Sequence, residues 1–256
     1  MPDGLLDALA DLLLGGRCVG CDRPGRVLCR GCADRLPPAA RVAWPSPVPP
    51  GLVTPWAAGE YAGVVKAMVV GHKEHRLLAL RDPLALLLAR AAAHAVVQEC
   101  PPGPVVLVPV PSRPASVRSR GYDPTYALTA GAGRLLATAG HDVRVHRLLR
   151  TRPGVVDQAG LDAHARAANL AGSMCCPSAG LRRLAEGLPS ASVVVCDDVL
   201  TTGSTAREAQ RALEAVGLRV TAVAAVAATR RRLPPGGRAG HSESSGLRVS
   251  PSRHTH

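Results

Sequence analysis

The sequence predicts an α/β fold in which helices flank a parallel sheet, preceded by a small four-cysteine module. Two observations predict the sheet. Valine-rich runs at 105–111 and 193–200 are typical of buried strands, and each is followed by a helical pattern. Strands that alternate with helices favour a parallel sheet, whose ligands bind at the carboxyl ends of the strands. The module is predicted from two Cys-x-x-Cys pairs near the start of the chain.

Composition divides the 256 residues into four segments. We expect an amphipathic helix and the cysteine module in residues 1–36, a proline-rich linker in 37–55, the α/β domain in 56–229 and a disordered basic tail in 230–256. Neither a signal peptide nor a membrane-spanning run is expected. The chain is therefore predicted to be cytoplasmic, where cysteines remain reduced.

The net charge of +12 favours a nucleic-acid partner. Six of the arginines, however, lie from Arg230 onward, in the tail. Aromatic residues make up 2% of the chain and Phe is missing, so few side chains can stack on bases. Any DNA binding is therefore expected to be weak, sensitive to salt and independent of sequence.

The two cysteine pairs are Cys18 with Cys21 and Cys29 with Cys32. Each pair can bind one side of a tetrahedral metal ion, and thiolates favour Zn²⁺. A redox pair and two disulfides are the alternatives, of which the second conflicts with a reducing compartment. Four thiolates leave no open coordination position, so we expect the site to stabilise the fold rather than to catalyse a reaction.

Periodicity and turn residues predict the elements of the α/β domain in chain order. A helix begins near Tyr61, and a polar interruption at 71–76 is expected to place His72 and His75 in a solvated loop. The other predictions are helices at 84–97, 124–139 and 206–216, an alanine-rich helix after Gln158, strands at 105–111, 143–149, 193–200 and 218–228, and a turn at 150–154.

Three arginines follow the strand predicted at 105–111, namely Arg113, Arg118 and Arg120. Guanidinium groups bind phosphate oxygens through paired hydrogen bonds. The segment is therefore a candidate pyrophosphate-binding or lid loop. A flexible basic loop is the alternative.

The strongest motif follows the strand at 193–200. Asp197 and Asp198 stand at its carboxyl end, and a loop of one glycine and four hydroxyl residues leads into a helix; its members are Thr201, Thr202, Gly203, Ser204 and Thr205. Backbone N–H groups at a helix start attract phosphate, and carboxylates accept from ribose hydroxyls or bind Mg²⁺. The motif therefore suits a phosphorylated sugar, whereas an ordinary polar turn does not explain the paired acids.

This motif resembles the phosphoribosyl diphosphate (PRPP) signature of type I phosphoribosyltransferases. Over residues 12–229 the chain is similar to the ComF family of phosphoribosyltransferase-like proteins. The matches are Cys18, Cys21, Cys29 and Cys32, a basic helical stretch around Lys66 and Lys73, Pro109-Val110-Pro111, Arg120-Gly121-Tyr122, then Gln158, Leu161, Arg166 and Asn169, and residues 197–205. Asp123-Pro124 departs from the Asn-Gln that many relatives have.

The resemblance implies a type I phosphoribosyltransferase fold that binds PRPP with Mg²⁺. Asp197 and Asp198 would contact the ribose or stabilise positive charge at its anomeric carbon, loop 201–205 would bind the 5′-phosphate, and the arginines the pyrophosphate. The implied reaction transfers phosphoribosyl to a nitrogen acceptor. The alternative is a non-enzymatic adaptor in DNA uptake during competence, which retains the pocket and has single-stranded DNA or a helicase as partner.

Overall fold

A computed structural model describes residues 16–152, 172–188 and 190–229 of the chain. The predictions for the N-terminal helix, for the segment from Gln158 to Asn169 and for the basic tail therefore fall on residues outside these ranges. The strands are β1 Arg41–Val42, β2 Pro55–Glu60, β3 Val105–Pro109, β4 Val143–Val145, β5 Arg150–Thr151, β6 Met174–Cys175, β7 Ser192–Leu200 and β8 Val220–Ala228.

Seven α-helices accompany these strands in the part of the chain that the structure describes. They are α1 Arg30–Ala33, α2 Gly63–Glu74, α3 Arg81–Glu99, α4 Pro114–Arg120, α5 Pro124–Thr138, α6 Ser178–Gly187 and α7 Ser204–Glu214, with a 3₁₀ turn at Leu78–Leu80. Among these described helices none has the length and apolar character needed to cross a membrane.

Six strands form one sheet in the order β1-β2-β8-β7-β3-β4. Every neighbouring pair is parallel except β1 with β2. Strands β3, β7 and β8 lie inside the sheet and are buried on both faces, which explains their nearly continuous runs of Val and Ala. The predicted α/β fold with a mostly parallel sheet is confirmed.

Two apolar clusters fill the two faces of this sheet. Because side chains alternate along a strand, Val194 of β7 points into one cluster and Val195 into the other. The first cluster receives α2, α3 and α5, and the second receives α6 and α7. The sheet is therefore the middle layer of three, as expected for crossover helices on both faces.

The prediction of a solvated loop at 71–76 is wrong for residues 71–74, because α2 continues through Glu74 and buries His72, which is 1% exposed; it holds for His75, which follows the helix and is exposed. His72 extends the buried stripe of Val65, Met68 and Val69 at helical spacing. The polar residues in Gly-His-Lys-Glu interrupt the apolar pattern, so the apolar pattern by itself does not indicate that the helix continues. The helix therefore carries its charged last turn to the carboxyl edge of the sheet.

Tertiary contacts also produce elements that the sequence did not predict. Strand β2 joins the sheet beside β8, β5 pairs with β6 where part of a turn was expected, and α6 covers the second apolar cluster. The predicted strand at 143–149 is shorter and ends at Val145. Two- and three-residue strands depend on their partners, so local pattern indicates them weakly.

The proline-rich segment 37–55 is fastened to the rest of the domain. Gln210 of α7 donates to the Gly51 carbonyl (2.9 Å) and accepts from the Val53 N–H (3.2 Å). Arg207 of the same helix donates to the Pro50 carbonyl (2.9 Å). The segment thus packs along the helix that follows loop 201–205.

The cysteine module packs against α2. A Cβ atom added at Gly20 would lie 2.8 Å from Val64 of α2, and one at Gly71 would lie 3.6 Å from Val19. Val27 belongs to the first apolar cluster. The module therefore shares the core of the α/β domain.

Candidate functional site

A pocket of about 480 Å³ opens at the carboxyl ends of β3 and β7. This is where an open parallel sheet binds its ligands. Strand β7, helices α2, α4 and α7, and the segments that follow β3 and β7 supply its charged and polar lining, which includes Lys73, Glu74, Ser112, Arg113, Ser116, Arg120, Asp197, Asp198, Thr201 and Thr205. The tertiary fold therefore brings both predicted carboxylates, two of the three predicted arginines and part of the predicted loop to one pocket.

Asp197 and Asp198 are buried near the end of β7, where they are 8% and 4% exposed. The Asp198 N–H donates to the Asp197 side chain and the Val199 N–H to the Asp198 side chain, both at 2.8 Å. Burial, and next the neighbouring charge of Asp198, raise the pKa of Asp197 well above its ordinary value, against the attraction of Lys73. The strand thus presents a preformed, strongly interacting acid pair.

Lys73 forms an ion pair with the inner oxygen of Asp198. Burial lowers the pKa of Lys73, but the charge and hydrogen bond of Asp198 and the charge of Asp197 together raise it above its ordinary value. Sequence reasoning noted Lys73 as a basic residue of a helical stretch and did not place it in the site. The continuation of the apolar stripe to His72 was the signal that its helix reaches the pocket.

Loop 201–205 turns from β7 into α7 through Gly203, whose φ of 74° is a left-handed conformation suited to glycine. Thr201 and Thr205 line the pocket. The hydroxyl groups of Thr202 and Ser204 lie 3.0 Å apart and contact each other. A Cβ atom at Gly203 would lie 2.9 Å from Pro45, so the outer side of the loop rests on the proline-rich segment.

The segment of the three predicted arginines was expected to be a loop, but Pro114–Arg120 form helix α4, which separates these arginines. Arg113 and Arg120, at its two ends, line the pocket, whereas Arg118 is exposed to solvent. Arg120 donates from Nη2 to both carboxylate oxygens of Glu74, at 2.9 and 3.0 Å. Glu74 was not predicted as a site residue, because it lies in the stretch interpreted as a loop.

Two further hydrogen bonds join the carboxyl-terminal ends of α2 and α4. Arg76 donates to the Ser119 carbonyl (2.8 Å), and the Tyr122 hydroxyl donates to the His72 carbonyl (2.6 Å). No residue of α4, all of which the structure describes, is buried. Polar contacts rather than core packing therefore hold this helix beside the pocket.

Asp123, where the sequence departs from the ComF pattern, has a structural role. It accepts hydrogen bonds from the Ser112 hydroxyl (2.8 Å) and the Tyr126 N–H (3.2 Å), so it caps α5 and ties down the start of the arginine segment. Arg147 lies 3.5 Å from its second oxygen. The carboxylate thus anchors the loop that carries Ser112 into the pocket.

The four N-terminal cysteines lie together, and all four Sγ atoms are within 4.8 Å of one another. Cys21 Sγ is 3.6 Å from Cys29 Sγ, near the ~3.8 Å that tetrahedral geometry requires with Zn–S bonds of about 2.3 Å. Burial opposes ionisation of Cys18, but N–H groups of Cys29, Gly20 and Cys21 lower its pKa to about 6. This cluster could hold a metal ion.

At the Cys32 end of the cluster, the surroundings disfavour ionisation of the thiol. Arg35 donates to Cys32 Sγ (3.1 Å), which lowers the thiol pKa, yet burial and the three neighbouring thiols raise it to about 11. Four thiolates at this spacing repel one another. A bound metal ion would remove that repulsion and use all four sulfurs.

A scan of the chain against models of known protein families found no match, and a search among curated proteins found none either. Function is therefore inferred from the pocket itself. Its described lining combines three cationic side chains with three carboxylates and several hydroxyl groups. Such a lining suits a ligand that carries both phosphate groups and hydroxyl groups.

Proposed function

We propose that this protein binds PRPP with Mg²⁺ and is a phosphoribosyltransferase-like protein of the type I class, of the ComF kind. One observation carries the proposal. Two buried carboxylates end β7 and lead directly into a hydroxyl-rich loop at the start of α7, opposite Lys73 and Arg120. A sugar that bears a phosphate at one end and a pyrophosphate at the other matches this arrangement.

Each part of the pocket has a role in this proposal. Thr201 and Thr205, with the N–H groups at the start of α7, bind the 5′-phosphate. Asp197 and Asp198 accept hydrogen bonds from the ribose hydroxyls. Lys73, with Arg113 and Arg120, neutralises the pyrophosphate.

In the proposed reaction the bond between the anomeric carbon and the pyrophosphate oxygen breaks, and the electron pair leaves with pyrophosphate. The lone pair of an acceptor nitrogen forms the new bond to carbon, and the proton lost from nitrogen passes to solvent. Positive charge develops at the anomeric carbon, and the negative potential of Asp197 and Asp198 stabilises it. Lys73 and the arginines stabilise the departing pyrophosphate.

The residues present fit Mg²⁺ in part. Carboxylate oxygens are the ligands that this ion prefers, and Mg²⁺ is usually held by one or two carboxylates together with substrate phosphates. Asp198 already has the Lys73 ammonium as its partner, so ligand phosphates would supply much of the coordination. When bound, the ion neutralises charge on the pyrophosphate.

For the cysteine cluster we propose structural Zn²⁺. The donor set is four sulfurs with no place for a substrate, and the module packs on α2 rather than on the pocket. Zinc here would stabilise the fold and, through α2, the position of Lys73. The protein is proposed to act in the cytoplasm, where these thiols stay reduced.

Calorimetric titration with PRPP, with and without Mg²⁺, tests the proposal. Thr205→Val removes one hydroxyl at nearly constant size and should weaken binding by about 1.5–3 kcal/mol, roughly ten- to a hundredfold. Asp198→Asn should weaken the Mg²⁺-dependent part of binding more than the metal-free part. Thr138→Val, on an exposed turn of α5, is the matched control and should bind like the wild type.

Two outcomes would contradict the proposal in different ways. If the wild type does not bind PRPP at millimolar concentration with Mg²⁺, the pocket has another ligand. If it binds but Thr205→Val and Asp198→Asn bind equally well, the ligand lies elsewhere on the molecule.

The second candidate is the adaptor in DNA uptake that binds PRPP without turnover. Tyr61 is the one aromatic residue among the described residues that line the pocket, so this lining offers little surface on which an acceptor base could stack, and that favours the adaptor. Pyrophosphate release measured with a panel of bases and amines separates the two candidates. Binding without release, together with capture of single-stranded DNA or a helicase, would favour the adaptor.

A further inference from the structure

Two of the cationic groups in the described pocket lining are already partnered by acidic groups of the protein. Lys73 pairs with Asp198, and Arg120 pairs with Glu74. Both pairs lie in the pocket lining. An anionic ligand that binds Lys73 or Arg120 must therefore compete with the protein's own carboxylates.

The two pairs differ in how firmly the carboxylate is placed. Asp198 is fixed at the end of β7 with its side chain 5% exposed, whereas the side chain of Glu74 is 55% exposed and that of Arg120 is 19% exposed. Glu74 is the last residue of α2, and the negative end of a helix dipole disfavours an acid there. The Arg120 guanidinium is the partner that draws this carboxylate to the pocket.

A phosphate group can replace the Glu74 carboxylate on Arg120. Guanidinium binds carboxylate and phosphate oxygens through the same planar donor geometry, and a phosphate carries more charge. Arg120 would remain beside the pocket after the exchange, because Arg76 and Tyr122 hold the end of α4 against α2 independently of Glu74. Partner exchange therefore requires movement of side chains and no rupture of the core.

We propose that Glu74 is an internal competitor for Arg120 that occupies the pyrophosphate subsite when the ligand is absent. This inference rests on the proposed function, and it makes Glu74 a specificity-determining residue. Its carboxylate yields to a pyrophosphate group and, once displaced, still repels the negative charge of that group. Glu74 thus weakens the binding of every anion to Arg120, so that only an anion that binds strongly can displace the carboxylate.

The test is titration with inorganic pyrophosphate and with PRPP, both with Mg²⁺, of the wild type and Glu74→Gln. The substitution keeps the size of the side chain and removes its charge. Because it releases one partly exposed ion pair and removes a repulsion, pyrophosphate should bind about three- to tenfold more tightly. Glu214→Gln is the matched control, since Glu214 pairs with Arg207 on α7 outside the pocket lining. The affinity of this variant for pyrophosphate should equal that of the wild type.

Two further measurements locate the effect. Ribose 5-phosphate lacks the pyrophosphate group, so Glu74→Gln should leave its affinity unchanged. In a double-mutant cycle, Glu74→Gln should gain less in an Arg120→Ala background than in the wild type, because the contested guanidinium is gone. Circular dichroism and a second variant, Glu74→Ala, exclude misfolding as the cause of any difference.

The possible failures are distinguishable. If the wild type binds PRPP but Glu74→Gln binds pyrophosphate equally or more weakly, the inference is overturned and the proposed function stands. An equal gain for ribose 5-phosphate would show a general effect of charge and would also overturn it. If neither wild type nor variant binds PRPP or pyrophosphate, the proposed function is wrong and the inference falls with it.

Discussion

The ionised carboxylate of Asp197 is unfavourable for the stability of the ligand-free protein but suited to binding a ligand. Its carboxyl group is buried at the end of β7 beside Asp198, and the ionised form is disfavoured by desolvation and by the neighbouring charge. A ligand that brings hydroxyl groups and a cation would relieve both effects. Residues arranged in this way are characteristic of binding sites rather than of cores.

We therefore predict that Asp197→Asn stabilises the ligand-free protein at pH 7 by a few degrees in Tm. In the wild type the folded pKa lies above the ordinary 3.8, so ionisation of the unfolded chain lowers stability as pH rises through and above that value. Asn has no such ionisation. The difference in Tm, measured by scanning calorimetry, should shrink as pH falls below 3.8, and an Asn variant that is less stable at pH 7 would contradict this account.

Lys73 should contribute to stability as well as to the pocket. Replacing Lys73 by Met leaves the buried Asp198 carboxylate without its cation, and we expect a loss of about 1–3 kcal/mol in urea unfolding, less than for a fully buried pair because Lys73 is partly exposed. Lys66→Met is the matched control. Lys66 is exposed on the same helix, so its replacement should change stability by less than about 0.5 kcal/mol. Equal effects of the two variants would refute the role of the ion pair.

At the scale of elements, loop 201–205 has two neighbours. Its inner side faces the pocket through Thr201 and Thr205, and its outer side rests on the proline-rich segment at Pro45 and Leu52. The same segment is hydrogen-bonded to α7 through Gln210. The segment therefore supports the loop from behind and fixes where its N–H groups and hydroxyls point.

Gly203→Ala tests this support. A Cβ atom would be strained at a φ of 74° and would also meet Pro45 at 2.9 Å. Gly217→Ala is the control, because its φ of 83° gives the same strain while no described heavy atom lies within 4 Å of the added Cβ. We expect about 1–2 kcal/mol of destabilisation from strain in both variants. An additional loss of about 1–3 kcal/mol is expected in Gly203→Ala alone.

Chemical denaturation of the two glycine variants provides the measurement. If Gly203→Ala is no less stable than Gly217→Ala, the proline-rich segment yields to the loop and does not support it.

At the scale of the whole molecule, α2 connects the cysteine module to the pocket. Gly20 and Val19 of the module pack against this helix, and Lys73 and Glu74 stand at its far end in the pocket lining. A metal that holds the module in shape would therefore also hold one wall of the pocket. We therefore expect the cysteine module and the α/β domain to unfold together.

We predict about one Zn²⁺ per chain, bound by Cys18, Cys21, Cys29 and Cys32. Cys21→Ser, or removal of the metal by a chelator, should lower metal content and thermal stability together and increase hydrogen exchange in α2. The control is Cys175→Ser. Cys175 lies outside the cluster, so this variant should retain the metal. Fully folded, reduced protein without stoichiometric metal would disprove the prediction, and unchanged exchange in α2 would disprove the coupling.

Much of the fold and part of the candidate site were predictable from local sequence. Strands β3, β7 and β8 are long apolar runs, so burial on both faces is visible in their letters. The cysteine cluster and the acid pair with its loop are contiguous motifs, and contiguous residues need no knowledge of distant contacts. Strands β2, β5 and β6 and helix α6 were missed because their stability comes from partners far along the chain.

The sequence by itself determined the chemistry at the end of β7: two acids, then hydroxyls at a helix start. Only the tertiary structure decided what faces them. Lys73 and Glu74 reach the pocket because α2 buries His72 and continues one turn further than its polar letters indicate, and Arg120 is turned toward Glu74 by contacts between α2 and α4. The reason is physical: charge pairing across a pocket depends on which elements the core packs together, and the core is assembled from residues distant in the chain.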